Sequence, residues 1–158
     1  MPIEIERKFL IRNNAWRKQA GTGINYVQGY IAASARRAVR IRIAGRRAFV
    51  SFKGKITAIR RKEYEYEVPP AEAREMLSFF CARPPVEKIR YRVKHGGKTW
   101  EVDEFLGENE GLTVAEIELE REDEYFEIPD WVGEEVTRDP RYLSVNLYKK
   151  PYKTWPQK

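Results

Sequence analysis

Apolar and charged side chains alternate along most of this chain with a period of two residues. Successive side chains on a strand point to opposite faces. The pattern therefore predicts strands over residues 3–11, 25–32, 38–43, 48–53, 61–68, 88–94, 99–105 and 114–120. Val39, Ile41 and Ile43 oppose Arg40 and Arg42, and Val50 and Phe52 oppose Ser51 and Lys53. The Gly45-Arg46-Arg47 stretch between these two segments predicts a hairpin turn. Gly29, inside the second strand, marks a bulge or the close approach of another element. A helical stripe of Ala73, Met76, Leu77 and Phe80 predicts a helix over 71–81, and a second short helix is expected at 131–136. About eight strands joined by short hairpins suggest a meandering antiparallel sheet closed into a barrel. The expected fold is mainly β, a closed antiparallel barrel with helices packed outside.

The polar positions of these strands are almost purely charged, and the sign is segregated by strand. Acids occupy the strands of Glu4/Glu6, Glu101/Asp103 and Glu116/Glu118; bases occupy those of Arg40/Arg42, Lys53 and Lys88/Arg90/Arg92. For any one strand the ordinary reading is a solvated face. Across the set, a barrel with its charges turned inward would oppose an acidic wall to a basic wall. Such an interior is costly unless its charges are compensated. Carboxylates supply hard oxygen ligands for Mg²⁺ or Mn²⁺, and guanidinium and ammonium groups suit a chain of phosphates. At the N-terminus, Glu4, Glu6 and Lys8 share one strand face and place both chemistries side by side.

Composition narrows this further. With 158 residues the chain is expected to form a single domain, residues 1–158, large enough for a core. A net charge of +6 points to an anionic partner. Cys81 and His95 are the sole cysteine and histidine, which argues against a disulfide framework, a zinc site and a histidine-dependent triad. No apolar leader or membrane-length apolar run is present, so the expected compartment is the cytoplasm, with no membrane partner. The aromatic residues alternate away from the basic ones, which argues against an RNA-binding surface of stacked bases.

The segment Glu4-Ile5-Glu6-Arg7-Lys8 resembles the Glu-x-Glu-x-Lys signature of the CYTH superfamily, the triphosphate tunnel metalloenzymes. The resemblance continues in order through Gln28-Gly29-Tyr30, Arg40-Ile41-Arg42, Ser51-Phe52-Lys53-Gly54 and Arg61-Lys62-Glu63-Tyr64-Glu65. It extends through Val86-Glu87-Lys88-Ile89-Arg90-Tyr91, Trp100-Glu101-Val102-Asp103-Glu104-Phe105 and Ala115-Glu116-Ile117-Glu118-Leu119. Gly133 to Tyr142 resembles the region of the C-terminal plug helix. The resemblance implies a metal-dependent enzyme acting on a triphosphate, most like short bacterial inorganic triphosphatases. Nucleotide or thiamine triphosphatases and class IV adenylate cyclases share the fold, and a homodimer is among the assemblies it allows. A non-catalytic polyphosphate- or RNA-binding barrel is the alternative outside enzymes.

Charge placement then assigns roles. Glu4, Glu6, Glu116 and Glu118 are expected to hold the metal, with Asp103, Glu63 and Glu65 as further candidates. Lys8, Arg40, Arg42, Lys53, Arg90 and Arg92 are expected to bind phosphates. Lys88, among other cations, should have a lowered pKa and orient or deprotonate water, phosphate binding being the alternative. Tyr30 is expected to face the tunnel and tune substrate choice, or else to pack as an ordinary barrel tyrosine.

Overall fold

In the computed structural model, which describes residues 3–34 and 36–156, the predicted strands pair edge to edge until the sheet meets itself. They are β1 (Ile3–Ile11), β2 (Ile24–Ala33), β3 (Arg37–Ala44), β4 (Arg47–Lys55), β5 (Arg60–Val68), β6 (Val86–His95), β7 (Lys98–Phe105) and β8 (Thr113–Leu119). Their order is β5-β4-β3-β2-β6-β7-β8-β1, and pairing of β5 with β1 closes the barrel. Every pairing is antiparallel. Closure leaves no free edge along most of the sheet.

The apolar face is outside and is covered in two places. Phe9, Trp100 and Val102 pack with Trp16, Trp131 and Val132. Trp16 comes from a 3-10 turn at Asn14–Lys18, where the Asn13 side chain accepts from the Ala15 N–H. On the other side, helix α1 (Pro70–Phe80) lays Ala73, Met76 and Leu77 over Ile41 and Ala48. Gly29 is the close approach that the sequence marks. A Cβ there would lie 2.9 Å from Leu77 Cδ2 and 3.0 Å from Cys81 Sγ. The strand irregularity falls just beyond it, between Tyr30 and Ala32.

Two expectations are corrected. The segment expected as a helix at 131–136 contains strand β9 (Val132–Glu135), which pairs with β1 through Phe9↔Glu135 and Ile11↔Val132. Strand β5 pairs with β1 only from Ile3 to Ile5, so the far end of that edge is open, and β9 takes it. The helices are not all outside either. Helix α2 (Ser144–Lys149) packs Val145, Leu147 and Tyr148 against Tyr30, Val86, Phe105, Leu112 and Val114. Tyr30, Val86, Phe105 and Val114 continue the inward rows of Gln28, Lys88, Asp103 and Glu116, so α2 stops one end of the barrel. It sits where β2 and β6 part company, their pairing running only from Ile24 to Gln28 on β2.

Candidate active site

The charged rows face inward and line a cavity of about 280 Å³. Among the sequence-predicted residues, Glu4, Glu6, Lys8, Tyr30, Arg40, Arg42, Lys53, Glu63, Glu65, Lys88, Arg90, Arg92, Glu116 and Glu118 all line it. Strand order produces the opposed walls: β7, β8, β1 and β5 carry the acids and are contiguous, while β4, β3 and β6 carry most of the bases, with the uncharged β2 between β3 and β6.

Asp103 is the departure. It is fully buried in the wall and does not line the cavity. Arg90 Nε donates to Asp103 Oδ1 at 2.7 Å, Arg90 Nη2 to Oδ2 at 2.8 Å, and Lys88 Nζ to Oδ2 at 2.7 Å. With both oxygens engaged by cations, its geometry suits holding Arg90 and Lys88 in place instead of binding a metal. Burial alone would raise its pKa, but Arg90 and Lys88 outweigh burial and lower it.

Ion pairs join the walls at their seams. Lys53 Nζ is 3.1 Å from Glu4 and 3.5 Å from Glu63, and Arg40 lies 3.5 Å from Glu63 and 3.6 Å from Glu65. Ser51 Oγ donates to Glu65 at 3.0 Å. At the other seam Arg90 reaches Glu101 at 3.2 Å and Glu116 at 3.5 Å, and Lys8 lies 3.9 Å from Glu116. Despite burial, Lys8, Arg90 and Lys88 hold Glu116 well below the usual carboxylate range.

What remains unpaired is the informative part. Among the described residues Arg42 meets no carboxylate within ion-pair distance. Its Nε donates to the neutral Gln28 Oε1 at 2.9 Å, and its guanidinium lies 4.9 Å from the Tyr26 ring. Burial, with repulsion from Arg40 and Arg90, lowers its pKa to about 10. Opposite it, burial and the neighbouring Glu116 and Glu4 push Glu6 well above an ordinary glutamate. Burial, with Glu4, Glu101 and Glu63, raises Glu118 as well. One wall holds a cation with no carboxylate partner, and the other crowds carboxyl groups that repel one another.

Those acids fit a divalent cation by donor chemistry, since carboxylate oxygens are the hard ligands such ions take. The repulsion that raises Glu6 and Glu118 is the kind a cation relieves. No closed cage is formed, because among the described residues no three acidic, histidine or cysteine side chains converge on one point.

Lys88 is 2% exposed, and its pKa is lowered to about 7 by burial and by Arg90 and Arg42, against the opposing pull of Asp103. Tyr30 both lines the cavity and packs against Tyr148 of α2, with ring centroids 5.4 Å apart. Arg92, more exposed, stands at the rim 3.9 Å from Glu101.

The sequence reading missed Tyr26, Lys55, Arg61, Arg36, Arg37 and Ser144 as lining residues, and gave Glu101, which it placed on the acidic wall, no role. Alternation could have found the first three, because Tyr26 shares a face with Tyr30, Lys55 with Lys53 and Arg61 with Glu63. Tyr26 also corrects the view that aromatics keep to the other face. Its ring lies 4.9 Å from Arg42, 5.0 Å from Arg90 and 5.5 Å from Lys88. Ser144 arrives on α2, and no strand pattern announces it.

Residues 2–152 match the CYTH domain family. The chain belongs to that family. Among CYTH relatives, the inorganic triphosphatase of Acetivibrio thermocellus is 50% identical over 155 residues, covering 98% of this chain and 99% of the relative. The inorganic triphosphatase of Nitrosomonas europaea is 34% identical over 148 residues, covering 91% of this chain and 95% of the relative. The crystal structure of the inorganic triphosphatase NE1496 superposes with a TM-score of 0.65 at 33% identity, covering 92% of this chain and 93% of that one. Among the described residues no helix is long and apolar enough to cross a membrane.

Proposed function

We propose that this CYTH protein is a cytoplasmic, metal-dependent inorganic triphosphatase that cleaves tripolyphosphate to pyrophosphate and phosphate. The observation that carries this reading is the uncompensated lining of the cavity: among the described residues Arg42 meets no carboxylate, and Glu6 and Glu118 meet no cation, within ion-pair distance. A polyphosphate answers the first and a divalent ion the second. The two relatives named above support the choice of inorganic triphosphate over other triphosphates.

Arg40, Arg42, Arg90, Lys8 and Lys53 bind the phosphate oxygens, with Arg92 at the rim. In phosphoryl transfer such groups act chiefly by positioning and by stabilising charge. A Mg²⁺ or Mn²⁺ ion held by Glu4, Glu6, Glu116 and Glu118 would neutralise phosphate oxygens and acidify a water molecule. Glu63 and Glu65, engaged with Arg40, Lys53 and Ser51, orient those donors. With a pKa of about 7, Lys88 is neutral in a substantial fraction of molecules at neutral pH. A neutral amine can still donate to Asp103 and has a lone pair to accept a proton. It takes a proton from water as the water oxygen bonds to the terminal phosphorus; the bridging P–O bond breaks and pyrophosphate leaves with the electron pair.

The test is phosphate release from tripolyphosphate, ATP, thiamine triphosphate and pyrophosphate, with Mg²⁺, Mn²⁺ or EDTA. A Glu4→Ala/Glu6→Ala variant, run in parallel, excludes contaminants. Turnover fastest on tripolyphosphate, abolished by EDTA and absent in the variant, is expected. Tight polyanion binding that ignores EDTA, without turnover of any substrate, would leave a binding barrel.

A further inference from the structure

Gln28 is fully buried and stands between the plug and Arg42, a cavity cation with no carboxylate partner among the described residues. Its Oε1 accepts from Arg42 Nε at 2.9 Å, and its Nε2 donates to Ser144 Oγ in the first turn of α2. The amide orientation is forced, because a flipped amide would aim N–H donors at a guanidinium that has only donors. Arg42 makes no other side-chain hydrogen bond among the described residues, so its direction in the cavity is set by this one acceptor and by the face of Tyr26, 4.9 Å away. The plug itself is fastened by Leu147 in its apolar seat and by Lys149 Nζ donating to Ala33 O at 2.9 Å. The segment leading into α2 also receives a bond from a second phosphate-binding cation, Lys8 Nζ to Tyr142 O at 3.2 Å.

We propose that Gln28 is a positioning residue for Arg42 and that, through Ser144, it makes the seating of α2 a determinant of triphosphate affinity. The proposal rests on the triphosphatase reading for its kinetic consequence, but not for its structural one. Gln28 touches no reacting atom; it fixes the heading of a guanidinium that does. Because Oε1 is neutral, Arg42 keeps its full charge for phosphate. A carboxylate at the same place would aim the group equally well and neutralise it.

The variants are Gln28→Leu, Gln28→Glu, Ser144→Ala, Arg42→Ala and the Gln28→Leu/Arg42→Ala double. Three measurements apply: tripolyphosphate kinetics at saturating metal, melting temperature, and the NMR resonance of the Arg42 Nε–H. In the unaltered protein that resonance should be protected from solvent exchange. In Gln28→Leu it should lose protection, with KM rising about tenfold, the scale of one lost hydrogen bond to a charged group, and kcat nearly unchanged. Gln28→Glu should raise KM at least as much without melting earlier, and Ser144→Ala should shift both readouts in the same direction by less. In Arg42→Ala, adding Gln28→Leu should change KM no further. Gln28→Glu with unchanged KM, additive effects of Gln28→Leu and Arg42→Ala, or an Arg42 Nε–H that stays protected in Gln28→Leu would overturn the proposal. If the unaltered protein turns over no triphosphate, the functional reading fails by itself. The Nε–H signal in Gln28→Leu and Ser144→Ala still decides whether the coupling exists.

Discussion

Lys88 shows how one residue's surroundings set a reaction's pH dependence. Burial and two guanidiniums favour its neutral form, and Asp103 opposes them, leaving a pKa of about 7. As a base it works deprotonated, so kcat/KM, which reports groups of the free protein, should climb as pH rises through about 7 and level off above it. Lys88→Arg keeps a phosphate-binding cation that does not deprotonate in this range. It should lower kcat by roughly 10²–10⁴-fold and remove the limb. A variant that keeps its rate would reduce Lys88 to phosphate binding. Asp103→Asn removes the group that holds the pKa up, so the limb should move to lower pH. It should also cost about 3–5 kcal/mol in denaturant melts, because Arg90 loses its buried partner. The stability effect of Lys88 has a definite sign. Between about 7 and the ordinary lysine value of 10.5 the unfolded chain binds the extra proton, so this residue's contribution to stability rises with pH across that window.

Among the elements, α2 carries the most function for its length and was the least legible. Helix α1 can be read from Ala73, Met76, Leu77 and Phe80 because their spacing repeats over two turns. Helix α2 has six residues, and the partners of Val145, Leu147 and Tyr148 lie on four strands and a turn. No local period encodes such a seat. Strand β9 misled for a related reason. Trp131, Val132 and Val136 suit a short helix locally, but the edge that β5 leaves open on β1 recruits Val132 and Glu135 into the sheet. Leu147 is the test of the plug. It is completely buried, and Leu147→Ala should cost about 2–5 kcal/mol in urea unfolding. With α2 loosened, KM for tripolyphosphate should rise as well. A variant destabilised to that extent with an unaltered KM would separate the plug from the phosphate wall.

At the scale of the whole barrel, the segregation of charge by strand was open to inspection, and it fixed which walls would oppose. Which charges would remain unpaired was not, because that depends on register around a closed sheet. Arg90 and Arg42 look alike in sequence, each on a basic strand among apolar neighbours. Yet Arg90 lies opposite Asp103 on β7, and Arg42 lies between Gln28 and Phe49. The surplus left on each wall is a stored repulsion that ligands relieve, which makes stability a readout of the site. A ligand that binds only the folded barrel raises its melting temperature by mass action. Tripolyphosphate should therefore stabilise the protein, and Mg²⁺ or Mn²⁺ with it should do so further. Glu6→Gln preserves shape and removes one of the repelling carboxylates. Its metal-free melting temperature should be no lower than that of the unaltered protein, while the metal-induced rise and the triphosphatase activity both disappear. A site that costs the empty barrel stability requires that combination. If Glu6→Gln instead melts several degrees lower and keeps its metal response, Glu6 is a structural partner of Lys8 and Lys53, and the metal belongs to other carboxylates.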